Sequence, residues 1–150
     1  MKLRTVKLRT VKLSHIRQVS LPVTDLERAV AFYRDVLGAS FIASFAPPGI
    51  AFFDFAGVRL LLSAGTTGSV LYFAVDDIHT AFAELSGGGV VFDDEPHMIF
   101  RDDKGQFGPP GTEEWMAFFA DTEGNTLALT ERRPIAAAGA ETDSASSSPT

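Results

Sequence analysis

Three histidines and no cysteine bound the chemistry open to this chain. Without thiols there is no cysteine nucleophile, disulfide or sulfur metal site, so a metal would need His, Asp, Glu or Gln ligands. His97 is the histidine best placed for chemistry. It lies between Pro96 and the apolar Met98 and Ile99, in a loop-rich stretch of the kind where binding specificity collects on a rigid scaffold. Glu114 enters the run EWMAFF, and pairing of that strand with the one carrying His97 would let the carboxylate orient the imidazole. Neutral imidazole both donates and accepts near pH 7, which suits it to general-base work or to holding a ligand. The competing reading is an exposed edge histidine and a solvated carboxylate. Trp115 adjoins Gly108, Pro109, Pro110 and Gly111, placed either to stack on a flat or cationic ligand or to fill core. His15 precedes the core of the first strand. His79 falls opposite the apolar helix face of Ile78, Ala81, Phe82 and Leu85, so both read as solvent-facing.

The elements that must position these residues come from an internal repeat. LPVTDLERAVAFY from Leu21 has a counterpart in FAVDDIHTAFAEL from Phe73, at an offset of 52. DFAGVRLLL from Asp54 matches DTEGNTLAL from Asp121, at an offset of 67. Two copies of one unit account for both, the second longer by fifteen residues, which 95–112 is best placed to hold. In the first copy, 18–23 alternates as a strand, and Thr24 with Glu27 forms a capping-box pattern. Leu26, Ala29, Val30, Tyr33, Val36 and Leu37 share one helical face, and Gly38 suits the C′ position. Residues 40–46, 50–55 and 58–63 read as strands, giving βαβββ. The second copy offers VLYFAV, a helix over 77–86, then strands near 89–93 or 97–101, 114–119 and 126–130. The expected fold is α+β, tandem βαβββ modules over 14–63 and 69–133 in a single domain, with half the strand aromatics facing a concave side.

Composition agrees with a folded domain: 45% of residues are hydrophobic and 21% charged, and no apolar run approaches the ~20 residues of a membrane span. The net charge of −6 hides a basic stretch over 1–13, where KLRTV occurs twice, and an acidic body over 14–133 with eight cations against seventeen acids. An acidic body repels phosphate backbones, so nucleic acid is not an expected partner. The 1–13 segment lacks the apolar block of a secretory signal, which leaves cytoplasm as the default compartment. It reads as a start-site extension, with a transit peptide or basic arm as alternatives. The small, polar 134–150 tail reads as disordered.

Tandem βαβββ units with V-x-D-L-E-R-A-V-A-F-Y-R-D-V-L-G at the first helix and D-T-E-G-N-T-L-A-L at the last hairpin resemble the vicinal oxygen chelate superfamily. This is the group of glyoxalase I, extradiol dioxygenases, methylmalonyl-CoA epimerase and bleomycin-resistance proteins. The resemblance implies the glyoxalase-like fold and a cavity that is often built between chains, hence a homodimer. It also implies four metal-ligand positions, which this chain fills with Gln18, Leu61, Val70 and Ala128. Three of these offer no lone pair to a cation. No metal or other cofactor is therefore expected, and the four positions with Trp115 become candidate lining of an apolar cavity for an aromatic or cationic small molecule. The alternative is a glyoxalase- or epimerase-type lyase or isomerase, either metal-dependent or using His97 and Glu114 for proton transfer.

Overall fold

The computed structural model describes residues 11–135. All of the KLRTV repeat except Val11, and nearly all of the polar tail, lie outside the described residues. Eight strands form one mixed sheet: β1 (Ile16–Val23), β2 (Ser40–Phe45), β3 (Ile50–Phe55), β4 (Val58–Ala64), β5 (Val70–Ala74), β6 (His97–Asp102), β7 (Thr112–Ala120) and β8 (Thr126–Pro134). Their order is β2-β3-β4-β1-β5-β8-β7-β6, so each module contributes one contiguous half and β1 meets β5 antiparallel at the centre. Within each half the first strand runs parallel to the last. Gln18 pairs with Arg59 in β1–β4, and Val70 pairs with Thr126 in β5–β8. These are the residues that the offsets of 52 and 67 equate, so the sequence repeat and the backbone ladders share one register.

The helices α1 (Leu26–Ala31) and α2 (Ile78–Gly87) start in the same way. Asp25 and Asp77 each hold an extended backbone and accept from N–H groups of the first turn, Asp25 from Arg28 and Asp77 from His79 and Thr80. The cap is thus the aspartate rather than Thr24, whose hydroxyl instead accepts from the Arg28 guanidinium at 3.1 Å. After α1 the chain widens into a π-helical turn, Phe32–Val36, closed by Leu37 N–H donating to Phe32 C=O at 3.0 Å. The extra residue in that turn rotates the succeeding side chains by about 100°. Val36 and Leu37 accordingly leave the expected buried face and are exposed at 70% and 56%.

The extra length of the second module is spread over its connections. Residues 88–96 lead into β6 where 37–39 lead into β2, and 103–111 join β6 to β7 where 46–49 join β2 to β3. The alternative strand at 89–93 reduces to one bridge, Phe92 with Phe119. The folded part also reaches beyond 14–133: Val11 and Leu13 pack on the α2 side, and Val11 N–H donates to Glu84 at 3.1 Å.

Alternation along the strands sorts side chains into three clusters. Ala51, Phe53, Leu60 and Leu62 pack with Val30 under α1, and Ala117, Phe119 and Leu129 pack with Ile78 and Ala81 under α2. On the other face, Tyr72, Met116 and Ala128 join Val70 and Phe118. That second face curls into a concave surface. Among the described residues, no helix is long and apolar enough to cross a membrane.

Candidate ligand-binding site

The concave face carries a cavity of about 440 Å³ shared by both modules. Module one contributes Phe45, Pro47, Pro48, Ile50, Phe52 and Leu61, and module two contributes Ile99, Phe100, Phe107 and Met116. Its polar groups are Gln18, Arg59 and Glu114. Strand period explains why these meet. Arg59 and Leu61 stand two apart on β4, and Glu114 and Met116 two apart on β7, so each pair shares the inward face.

Arg59 joins the two modules across the cavity. Its Nη1 and Nη2 donate to the two oxygens of Glu114, each at 2.7 Å, and its Nε donates to Gln18 Oε1 at 2.7 Å. Such forked pairing suits the planar guanidinium. Arg132, opposite Glu114 on β8, donates to Glu114 Oε2 at 2.8 Å, to Asp102 Oδ2 at 3.2 Å and to the Thr112 hydroxyl. Asp102 also accepts the Gln106 and Phe107 N–H groups, at 2.7 and 2.9 Å. Through Asp102 the ion network holds the β6–β7 loop, and Phe107 lies over the cavity against Phe52 (ring centroids 4.9 Å apart) and Phe100 (5.0 Å). Arg59 Cζ sits 5.5 Å from the Phe107 ring centre and 6.0 Å from that of Phe52.

Burial pushes the Glu114 carboxyl up, but the adjoining Arg59 and Arg132 outweigh it and hold the carboxyl below the usual range. Asp102 behaves likewise: burial raises it, while the Phe107 and Gln106 N–H groups and Arg132 bring it below normal. Tyr72 is raised by burial, against smaller opposing effects of Gln18 and Arg59. Glu114 is therefore ionised and fully engaged, a poor proton acceptor near neutral pH.

The expected pairing of His97 with Glu114 does not occur. β6–β7 register puts His97 opposite Met116 and Glu114 opposite Phe100, and His97 is exposed with Nδ1 3.1 Å from Glu95 C=O. Trp115 is likewise displaced from its possible ligand role. One residue from Glu114, it faces the α2 side, where its Nε1 donates to Glu113 at 2.8 Å, the Arg133 guanidinium lies 4.4 Å from its ring centre and His79 5.2 Å away. His79, expected in solvent, is exposed but makes this contact. Of the four positions read as cavity lining, Gln18 and Leu61 line it, while Val70 and Ala128 pack against Tyr72 and Met116 beside it. Arg59, Arg132 and Asp102 were not anticipated. The available signal was Arg59 as the single charged residue of the strand VRLLLSA.

A divalent cation does not fit this donor set. Leu61, Val70 and Ala128 offer no lone pair, Gln18 Oε1 is occupied by Arg59, and both Glu114 oxygens are held by guanidinium groups. Among the described residues no cluster of three His, Asp or Glu side chains has metal-binding geometry.

The family model of the glyoxalase/bleomycin resistance protein/dioxygenase superfamily matches residues 12–129, and the chain belongs to that family. It is 32% identical over 134 residues to a glyoxylase-like domain-containing protein of Didymella fabae, covering 78% of this chain and 93% of that one. The fold is similar to methylmalonyl-CoA epimerase from Mycobacterium tuberculosis, at TM-score 0.64 and 21% identity, covering 88% and 97% of the two chains. It is also similar to the Mn(II)-bound glyoxalase from Novosphingobium aromaticivorans, at TM-score 0.62 and 19% identity, covering 81% and 41%. At these identities the two structures establish the fold.

Proposed function

We propose that the protein binds a small aromatic organic molecule in its concave cavity without a divalent metal. The observation that carries this reading is the cavity itself: about 440 Å³, walled by Phe45, Phe52, Phe100, Phe107, Ile50 and Met116, with its few polar groups gathered at one place. Concave, largely apolar surfaces with a few converging polar groups are the usual form of small-molecule sites. A cationic ligand, the other option raised by the sequence, loses support because the Glu114 carboxylate is already paired with two guanidinium groups, Arg59 and Arg132, whose charge opposes a further cation. Proton transfer by His97 and Glu114 loses support because the strand register keeps the two side chains apart. Association into a homodimer belongs to the same reading, and Phe32, Val36, Leu37, Phe41 and Phe55 of module one are exposed apolar groups that a second copy would cover.

Elemental analysis with thermal melting tests the proposal. Ligands bound only by the native state raise stability by about 2.7 kcal/mol at a hundredfold excess over Kd. Addition of nickel, zinc, manganese or iron(II) is expected to leave the melting point in place, whereas naphthalene-sized aromatics raise it. Stoichiometric metal with an upward shift would reverse the reading and bring glyoxalase- or dioxygenase-type chemistry forward.

A further inference from the structure

The polar groups of the cavity are one-sided. A guanidinium carries five N–H donors. Arg59 uses three of them, on Gln18 Oε1 and on the two oxygens of Glu114, which leaves one N–H on each terminal nitrogen without an acceptor among the described residues. Of the acceptors beside it, Glu114 Oε2 receives both Arg59 and Arg132, and Oε1 receives Arg59 and keeps one lone pair, so free N–H groups outnumber free carboxylate lone pairs. The polar end of the cavity thus offers donors to an incoming molecule. Charge is balanced there as well, with Arg59 and Arg132 matched by Glu114 and Asp102. A buried anion would bring an uncompensated charge beside Glu114, and a cation would meet two guanidinium groups. Beside Arg59 stand the rings of Phe52 and Phe107, which favour a flat partner over a branched one.

Resting on the proposed ligand-binding role of the cavity, we propose that Arg59 is the hydrogen-bond anchor of the site. The ligand class it selects is a neutral planar aromatic carrying a carbonyl-type acceptor, which takes the remaining Arg59 N–H groups while its ring lies against Phe52 and Phe107.

Calorimetric titration of the full chain at neutral pH with four matched probes tests this: 2-acetylnaphthalene, 2-ethylnaphthalene, 2-naphthoate and 2-naphthylmethylammonium. A hydrogen bond to a charged donor corresponds to roughly tenfold or more in affinity. 2-Acetylnaphthalene is expected to bind at least about tenfold more tightly than the other three. The variant R59M/E114Q removes both charges of the pair together and leaves Arg132 an acceptor, and in it the acetyl-to-ethyl ratio is expected to fall to about one. Arg59→Lys, which keeps a cation opposite Glu114 without the planar fork, is a second variant that should also lower the ratio. Tighter binding of either ion, a ratio near one in the unaltered chain, or a ratio that persists in the variants overturns the assignment of Arg59 and leaves the cavity reading standing. Binding of none of the four probes overturns both.

Discussion

Arg59 and Glu114 come from different modules and are 7% and 4% exposed, so their pairing is a desolvated one. Two charges taken out of water in this way are held by good geometry, and removing one partner strands the other. Protonation is the gentlest way to remove one. Because the folded-state Glu114 and Asp102 carboxyls lie below their ordinary values, the unfolded chain binds more protons at acid pH, and stability there rises with pH. Their contribution is complete above the unfolded-state values, about 4.3 for Glu and 3.9 for Asp, and is lost as pH falls through the folded ones. Urea unfolding followed from about pH 6 down to pH 3 should therefore show declining stability, with Glu114→Gln giving a shallower decline. Equal slopes in the two proteins would mean that Glu114 contributes nothing to acid stability. Sequence reasoning singled out Glu114 but placed it opposite His97, whereas strand pairing across the sheet, not chain order, decides which side chain lies opposite.

At the scale of elements, the β6–β7 loop decides how the cavity is covered. Asp102 pins its backbone at Gln106 and Phe107, and the loop carries two glycines at positive φ, Gly105 and Gly111. Gly105 has φ +76°, and a Cβ there would lie 3.0 Å from Gly108 C=O and 3.1 Å from Pro110. Gly105→Ala thus adds a left-handed cost of about 1 to 2 kcal/mol to a steric one. The variant is expected to lose at least that much stability and to bind cavity ligands more weakly, because Phe107 no longer holds its place over the site. Calorimetry alongside denaturant unfolding checks both, and unchanged ligand affinity would separate Phe107 from binding. The sequence marked this stretch as a loop from Gly108, Pro109, Pro110 and Gly111. It did not reveal the anchoring by Asp102, whose partners are set by how the chain folds back. The π-helical turn after α1 was hidden for a similar reason: a 3.6-residue pattern runs through 26–37 without a sign of the extra residue at Phe32–Val36.

For the whole molecule, the central β1–β5 pairing and the Arg59–Glu114 bridge tie the two modules into one unit. Phe53, fully buried under α1, belongs to module one, while Trp115 reports from module two. Phe53→Ala should cost about 3 to 5 kcal/mol. If the modules unfold together, the Trp115 fluorescence transition will move by the full amount. A Trp115 transition left in place would show the halves unfolding separately. The duplicated βαβββ order and the places of the two helices were determined by the sequence, because they depend on local periodicity and on a repeat visible along the chain. The absence of lone pairs at Leu61, Val70 and Ala128 was equally legible, being a property of the residue types themselves. Only the tertiary structure decided which face each residue of β7 presents, and so sent Glu114 into the cavity and Trp115 to the helix side. It alone brought Arg59, Arg132 and Asp102 together, since residues tens of positions apart meet only when the sheet curls. The physical reason is the two-residue period of a strand: a shift of one residue exchanges the faces, and pairing with neighbouring strands selects between them.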